Sequence, residues 1–423
     1  MYIFDHSLAL RSYQETNHLK PDEISNIVIT TFDSIHTNQI EKSIQGYFNI
    51  PITRVTKILL SINARLYWSR KTSRSRSLRR RTWKHKDFHF PGVFEKFCMT
   101  PVMKPLGTIL VLLVFVFQRN LYKQLETHAR RGGSRIVYVS VGGPTSLNDF
   151  LCIAARRLGL ELNVILENWD NISSKAVFNH FPDKVGVWGM QSLLLAKRIH
   201  NLPPERVFLV GNPRVEWLKV NIKATIEKKH IFFAGGSSNF EEEINYLTLL
   251  SKLINDSLLD WEIRYLPHPK LYLRAKDELA NLEILGIRIL NKEVILQMNE
   301  IDNVLRLPTL HLYKECYEGA ALTISPLSTM NLEAGVLQIP TIGLDSTLHD
   351  MKDKNIPYVT EVQDHLIDIC ERKIMHIINN QEDFLETFKP LLDGEVHLNK
   401  YLISEADIEY LYYKASELLV NRD

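Results

Sequence analysis

The feature that most constrains this chain is a rhythm: short runs rich in Val, Ile and Leu recur along most of its length, separated by stretches with helical spacing. Asn26–Phe32, Arg135–Val141, Leu162–Leu166, Lys184–Trp188 and Arg206–Val210 read as strands of the first half. His230–Ala234, Trp261–Leu266, Gly286–Leu290, Ala321–Ile324 and Thr341–Leu344 continue the series. Strands this short and this evenly apolar are buried on both faces, as in parallel sheets covered by helices. The alternation therefore predicts an α/β, doubly wound architecture. One unit shows the logic in full. Leu151, Ala154, Ala155 and Leu158 fall at i, i+3, i+4 and i+7, Arg156 and Arg157 face outward, and Gly159 stops the helix before the next strand.

A chain of 423 residues can bury two cores of ordinary size. The polar segment Asn221–Lys229 follows a Gly-Asn-Pro-Arg turn and precedes a fresh strand, which places the boundary between residues 1–222 and 223–423. Past about residue 380 the chain becomes helical again, ending with Ser404–Val420. The four cysteines (Cys98, Cys152, Cys316, Cys370) are scattered, which fits buried thiols in a reducing cytoplasm rather than a zinc site. No basic stretch leads into an apolar core at the N-terminus, so a secretory leader is not expected.

Net charge is only +2, so any case for an anionic partner has to be local. From Lys42 to Lys86 there is no acidic residue, and Arg70–Lys86 is dense in Arg and Lys, making 65–86 a basic segment. A solvated face is one reading; membrane headgroups or a phosphate-bearing acceptor are the other. No nucleic-acid motif accompanies the patch, so nucleic acid is not an expected partner. The apolar run within 106–117 is shorter than the roughly 20 residues of a membrane-spanning helix. It reads either as a core element of the first domain or as a membrane-dipping segment that holds the protein peripherally on the inner face of a membrane.

Ligands of open α/β sheets bind beyond the carboxyl ends of the strands, so the polar residues that follow predicted strands matter most. Four segments stand out. Glu167-Asn168-Trp169-Asp170-Asn171 with Ser173, Ser174 and Lys175 follows one strand and offers a general base, Asp170 or Glu167, unless Asp170 merely caps the next helix. Gly235-Gly236-Ser237 follows another, where small residues let a phosphate approach backbone N–H groups. A tight turn wants glycine as well, and the segment lacks the Gly-Lys-Ser/Thr ending of a P-loop. Pro267-His268-Pro269-Lys270 holds an imidazole and an ammonium suited to a phosphate leaving group. Ser325-Pro326-Leu327-Ser328-Thr329 opens a helix that carries Glu333. There the hydroxyls and N–H groups bind phosphate and Glu333 reaches a sugar hydroxyl, or they form an ordinary cap.

Over residues 135 to 350 these motifs resemble the nucleotide-sugar enzymes of the glycosyltransferase-B (GT-B) fold, especially bacterial surface-carbohydrate proteins. The later Ser/Thr motif with its Glu-Ala-Gly ending, and its pairing with His-Pro, are similar to bacterial sialyltransferases and CDP-glycerol glycerophosphotransferases. The Trp-Asp-Asn segment with Lys175 and the Gly211-Asn212-Pro213-Arg214 turn resemble the end of the first domain in the same group. The resemblance implies two Rossmann-like domains facing a central cleft and a CMP-, CDP- or UDP-linked sugar donor as substrate. It implies nucleotide-phosphate contacts from His268, Ser328 and Thr329, and a carbohydrate or lipid-linked acceptor. No Asp-x-Asp metal motif stands in the expected context, so transfer without a metal and without a tightly bound cofactor is expected, with His268, Lys270 and helix N-termini stabilising charge. A nucleotide-sugar epimerase of the UDP-N-acetylglucosamine 2-epimerase type and a non-catalytic scaffold are the alternatives.

Overall fold

The computed structural model describes residues 1–4, 13, 27–29, 48–50, 52–69, 104–140, 146–223, 230–236, 240–257, 261–268, 276–292, 308–345 and 359–413. Ser237, Lys270 and the basic stretch Arg70–Lys86 lie outside the described residues. The chain divides into two compact units.

The first unit is built on seven parallel strands: β1 (Tyr2–Phe4), β2 (Ile27–Ile29), β3 (Phe48–Asn49), β4 (Arg135–Ser140), β5 (Glu161–Leu166), β6 (Lys184–Val187) and β7 (Val207–Leu209). They lie in the order β3-β2-β1-β4-β5-β6-β7. Its helices are α1 (Arg54–Ser69), α2 (Lys104–Phe117), α3 (Arg119–Arg130), α4 (Asn148–Leu158), α5 (Asn171–Ser174) and α6 (Met190–His200). The core joins Ile136, Tyr138, Leu162 and Val164 of the sheet to Phe150, Leu151, Ala154 and Ala155 of α4 and to Val111 and Val114 of α2. Helix α4 ends as its spacing predicts: Gly159 is left-handed at φ 67°, a backbone conformation that costs glycine little.

A buried polar knot fastens three of these segments. The Asp149 carboxylate accepts from Asn63 Nδ2 at 2.7 Å, Asn179 Nδ2 at 2.8 Å and the His180 N–H at 2.9 Å. Gly107 lets α2 approach α1 closely, because a side chain there would meet Asn63 Oδ1 at 3.0 Å.

The second unit begins with α7 (Pro213–Asn221) and carries six parallel strands: β8 (His230–Ala234), β9 (Glu262–Leu266), β10 (Ile287–Ile289), β11 (Ala320–Pro326), β12 (Thr341–Leu344) and β13 (His376–Ile378). Their order, β10-β9-β8-β11-β12-β13, is 3-2-1-4-5-6 within the unit, the dinucleotide-binding arrangement. The helices are α8 (Phe240–Asn255), α9 (Lys276–Ile284), α10 (Leu310–Tyr317), α11 (Thr329–Val336), α12 (Val359–Val362), α13 (Asp364–Arg372), α14 (Gln381–Leu392) and α15 (Glu405–Leu411). Both sheet faces are covered. Ile231 and Phe233 pack with Tyr246, Leu250, Phe384 and Phe388, while the alternate residues Phe232 and Ala234 pack with Leu218, Cys316, Tyr317 and Ala334. That two-sided burial is why the strand His-Ile-Phe-Phe-Ala shows no polar alternation.

The boundary differs from the sequence expectation. It falls at Pro213/Arg214 rather than near 222, because α7 places Leu218 in the core of the second unit. The chain also returns to the first unit at Gln363–His365 and again at Tyr413, whose N–H donates to Trp188 O at 2.7 Å. Tyr413 therefore belongs with the first unit. All ten predicted strands coincide with observed ones. Three further strands, β1, β3 and β13, two or three residues long, have no counterpart in the sequence expectation. The apolar run 106–117 is helical, with one face in the core and the other exposed.

Candidate functional site

The switch point of the second sheet lies between β8 and β11, where strand order reverses. Three of the predicted segments meet there. A side chain at Gly235 would come to 3.0 Å of the His268 backbone N, and one at Gly236 to 3.0 Å of Pro326 Cγ. The ends of β8, β9 and β11 are thus in contact through these glycines. The glycine N–H groups are already engaged: Gly235 donates to Leu266 O at 2.9 Å and Gly236 to Glu243 Oε1 at 2.6 Å. Close packing accounts for both glycines, and an incoming phosphate would have to compete for their donors.

Glu243 is a residue the sequence reading missed. It sits in the first turn of α8 behind two other glutamates, so nothing in its neighbourhood distinguishes it. Tyr265 Oη donates to its second oxygen at 2.8 Å. Burial drives its pKa up to about 8, against the opposing pull of the Gly236 and Tyr265 hydrogen bonds.

Ser328 caps α11. Its hydroxyl accepts from the Met330 N–H at 3.2 Å, its own N–H donates to Asn331 Oδ1 at 3.1 Å, and its Oγ lies 3.0 Å from Ser325 Oγ. The capping box therefore takes up most donors of this turn. Thr329, the first helical residue, is half-buried beside them. Glu333 is wholly buried one turn on. Arg214 Nη2 donates to one of its oxygens and Tyr317 Oη to the other at 3.2 Å, so a sugar hydroxyl would have to displace one of these. Arg214 belongs to the Gly-Asn-Pro-Arg turn; the two motifs meet as an ion pair.

In the first unit, Glu167 follows β5 directly. It is buried, its carbonyl accepts from Trp188 Nε1 at 3.1 Å and Asn212 Nδ2 at 3.0 Å, and its carboxylate lies near enough to Tyr13 to help burial raise that phenol. Asp170 does not cap α5 with its side chain. It accepts from Ser174 Oγ at 2.9 Å and pairs with Lys175 Nζ at 3.0 Å. Burial pushes its pKa up, but Lys175, His365 and Ser174 prevail and draw it down to about 2. Among the described residues, neither polar end of the buried Asn171 side chain has a partner, an arrangement that an added ligand or water would relieve.

His365 reaches this cluster from 192 residues away. Its Nδ1 lies 2.6 Å from Ser173 Oγ, its carbonyl accepts from Gln191 Nε2 at 2.9 Å, and its ring meets Trp169 edge-on at 4.7 Å. Burial lowers its pKa to about 4, which the nearby Asp170 only partly offsets. A histidine lowered on folding loses stability for the fold as it charges. Between pH 6.5 and 4 the unfolded chain binds the proton that the native chain refuses, so native stability falls with pH by about 3 kcal/mol across that window. Substituting His365→Asn is expected to flatten this limb in urea titrations at pH 4 to 7. An unchanged slope would show that another group sets it.

No family model matches the chain, and no curated protein matches it. Among solved structures it is similar to a candidate UDP-N-acetylglucosamine 2-epimerase from Listeria monocytogenes, at 13% identity and a TM-score of 0.52 over 97% of this chain and 92% of that one. It is also similar to MnaA of S. aureus, solved with UDP, at 11% identity and a TM-score of 0.51 over 98% and 92%. A glycosyltransferase from Rickettsia africae matches more loosely, at 11% identity and 0.45 over 97% and 92%, and adds no weight. Two all-parallel units, each with Rossmann strand order, on one chain that matches such structures nearly end to end define the class: an α/β protein of the GT-B fold.

Proposed function

We propose that this chain is a sugar-processing enzyme that binds a nucleotide-activated sugar, and that it transfers the sugar to a carbohydrate or lipid-linked acceptor in surface polysaccharide assembly. The observation that carries the reading is the switch point of the second sheet, where His268, the Ser325–Thr329 turn and the N-terminus of α11 converge at the carboxyl ends of β8, β9 and β11. In this reading the second unit holds the nucleotide phosphates through His268, Lys270, Ser328 and Thr329, which stabilise the leaving phosphate without a divalent metal.

The first unit supplies the base. Asp170, held near pKa 2 by its partners, accepts a proton poorly at neutral pH, and its ion pair with Lys175 suits it to orientation. Glu167 is then the base. An epimerase is the second reading, favoured by the fold match to the Listeria protein; it would need no acceptor.

The test is calorimetric titration of the protein with UDP, CDP, CMP, GDP and dTDP, UDP first because the S. aureus relative was solved with it. One nucleotide should bind at micromolar level and lose at least tenfold in affinity in His268→Ala. With its sugar donor in hand, Glu167→Gln should lose turnover by about a hundredfold and Asp170→Asn by less. Product formed without acceptor would make the enzyme an epimerase. Binding of none of the five would overturn the reading and leave a scaffold.

A further inference from the structure

Helix α2 is apolar all the way round from Leu106 to Phe117, with Thr108 as its only polar side chain, yet only one side of it is buried. Leu110, Val111 and Val114 enter the core of the first unit. On the opposite side Ile109 is 51% exposed, Leu112 38%, Leu113 44%, Val116 68% and Phe117 42%. At 100° per residue these five span an arc of about 140°, a continuous stripe rather than scattered surface residues. Val55 of α1, the helix packed against α2, is exposed as well. A single contiguous apolar patch of this kind marks an interaction surface in a water-soluble fold.

The charges next to the stripe in sequence point to what covers it. Within residues 52–69 and 104–125, the α1 segment and the α2 segment running into α3, there are six basic residues (Arg54, Lys57, Arg65, Lys104, Arg119, Lys123) and no Asp or Glu. The chain as a whole carries only +2, so this charge is concentrated here. The sequence that follows α1, Arg70–Lys86, adds nine more Lys and Arg and no acid. Among the described residues no single helix is long and apolar enough to cross a membrane. Helix α2 has 14 residues, too few to cross a bilayer, and the chain bends by 83° into α3, which buries Leu121 and Leu125 in the core. Gln118 fixes the bend, buried with its Nε2 donating to Thr56 Oγ1 at 3.2 Å. The stripe is therefore held flat along the surface by the fold.

We infer that the outer face of α2 docks on an anionic lipid bilayer, with Ile109, Leu112, Leu113, Val116 and Phe117 entering the headgroup–acyl boundary and the surrounding Lys and Arg facing lipid phosphates. An exposed apolar stripe on a helix flanked in sequence by basic residues is the pattern of an in-plane membrane helix. The inference rests on the surface of the first unit and is independent of the nucleotide reading.

The experiment is sedimentation of the full chain with vesicles of phosphatidylcholine alone and with 30% phosphatidylglycerol, at 0.1 and 0.5 M NaCl. The protein should partition onto the anionic vesicles at least tenfold more strongly than onto neutral ones, and lose severalfold of that at high salt. Leu113→Glu/Val116→Glu, two exposed positions, should cut partitioning at least tenfold while circular dichroism and nucleotide titration stay at wild-type values. Arg119→Glu/Lys123→Glu should lower it severalfold. A folded protein that ignores anionic vesicles, or that binds them equally well with both glutamates in place, would overturn the inference. So would a concentration-dependent dimer abolished by the same substitutions without any vesicle binding, since the stripe would then be covered by a second copy. Unchanged nucleotide titration in the glutamate variant keeps either outcome separate from the fate of the proposed function.

Discussion

Replacing Arg214 by alanine is expected to destabilise the second unit by about 3–5 kcal/mol, the range found when one partner of a buried ion pair is removed. Both side chains are inside: Arg214 is almost fully buried and Glu333 completely so. Among the described residues, alanine would leave the Glu333 carboxylate with Tyr317 Oη as its remaining donor, in a site where Asn331, Ala334 and Gly335 are buried on the same helix. The loss is not the worth of the pair. Taking both charges out with Arg214→Met/Glu333→Leu removes the desolvation cost together with the attraction, and the double variant should recover most of the stability. Urea unfolding of Arg214→Met, Glu333→Leu and the double variant gives the cycle. A loss below about 1 kcal/mol in Arg214→Ala would mean that the pair is already hydrated. The pair also fixes the turn of α11 that carries Glu333 relative to the start of α7.

Glu243 is expected to make the protein less stable as pH rises. Its native pKa is raised to about 8, against an ordinary 4.5. Between those values the native chain keeps a proton that the unfolded chain has released, so stability falls through the window and the full cost, about 4–5 kcal/mol, is reached above pH 8. Stability contributed by the neutral acid is thus complete below pH 4.5. Glu243→Gln removes the titration while keeping an acceptor for the Gly236 N–H. The variant should match wild type near pH 5 and exceed it by several kcal/mol at pH 9 in urea unfolding. Equal slopes for the two proteins from pH 5 to 9 would show that Glu243 ionises without penalty. Because Gly236 adjoins the switch point, the same titration should alter the proposed nucleotide binding over the same pH range.

The candidate site was legible in the sequence to the extent that it is local. His268, Ser328 and Thr329 each stand directly after a strand that its own composition reveals, and Ser328 caps α11 where the helical pattern begins. The glycines at 235 and 236 were legible as a turn but not as a contact, because what they meet, His268 N and Pro326, comes from strands that neighbour β8 only in space. Glu243 was invisible for the same reason. One glutamate among three on a helix start is ordinary; what sets Glu243 apart is its contact with Gly236 and Tyr265 at neighbouring strands.

By itself the sequence determined the architecture. Period, strand length and helix stops are set within ten to fifteen residues, and they were enough for two α/β units, ten strands and the end of α4 at Gly159. The tertiary structure alone decided everything that joins distant segments. It set the strand order, with β1 at the reversal of the first sheet and β8 at that of the second, the pairing of Arg214 with Glu333 across 119 residues, and the placement of His365 beside Ser173. It also decided which half of an all-apolar helix is core and which is surface, since hydrophobicity around α2 is uniform and only the packing of its neighbours breaks the symmetry.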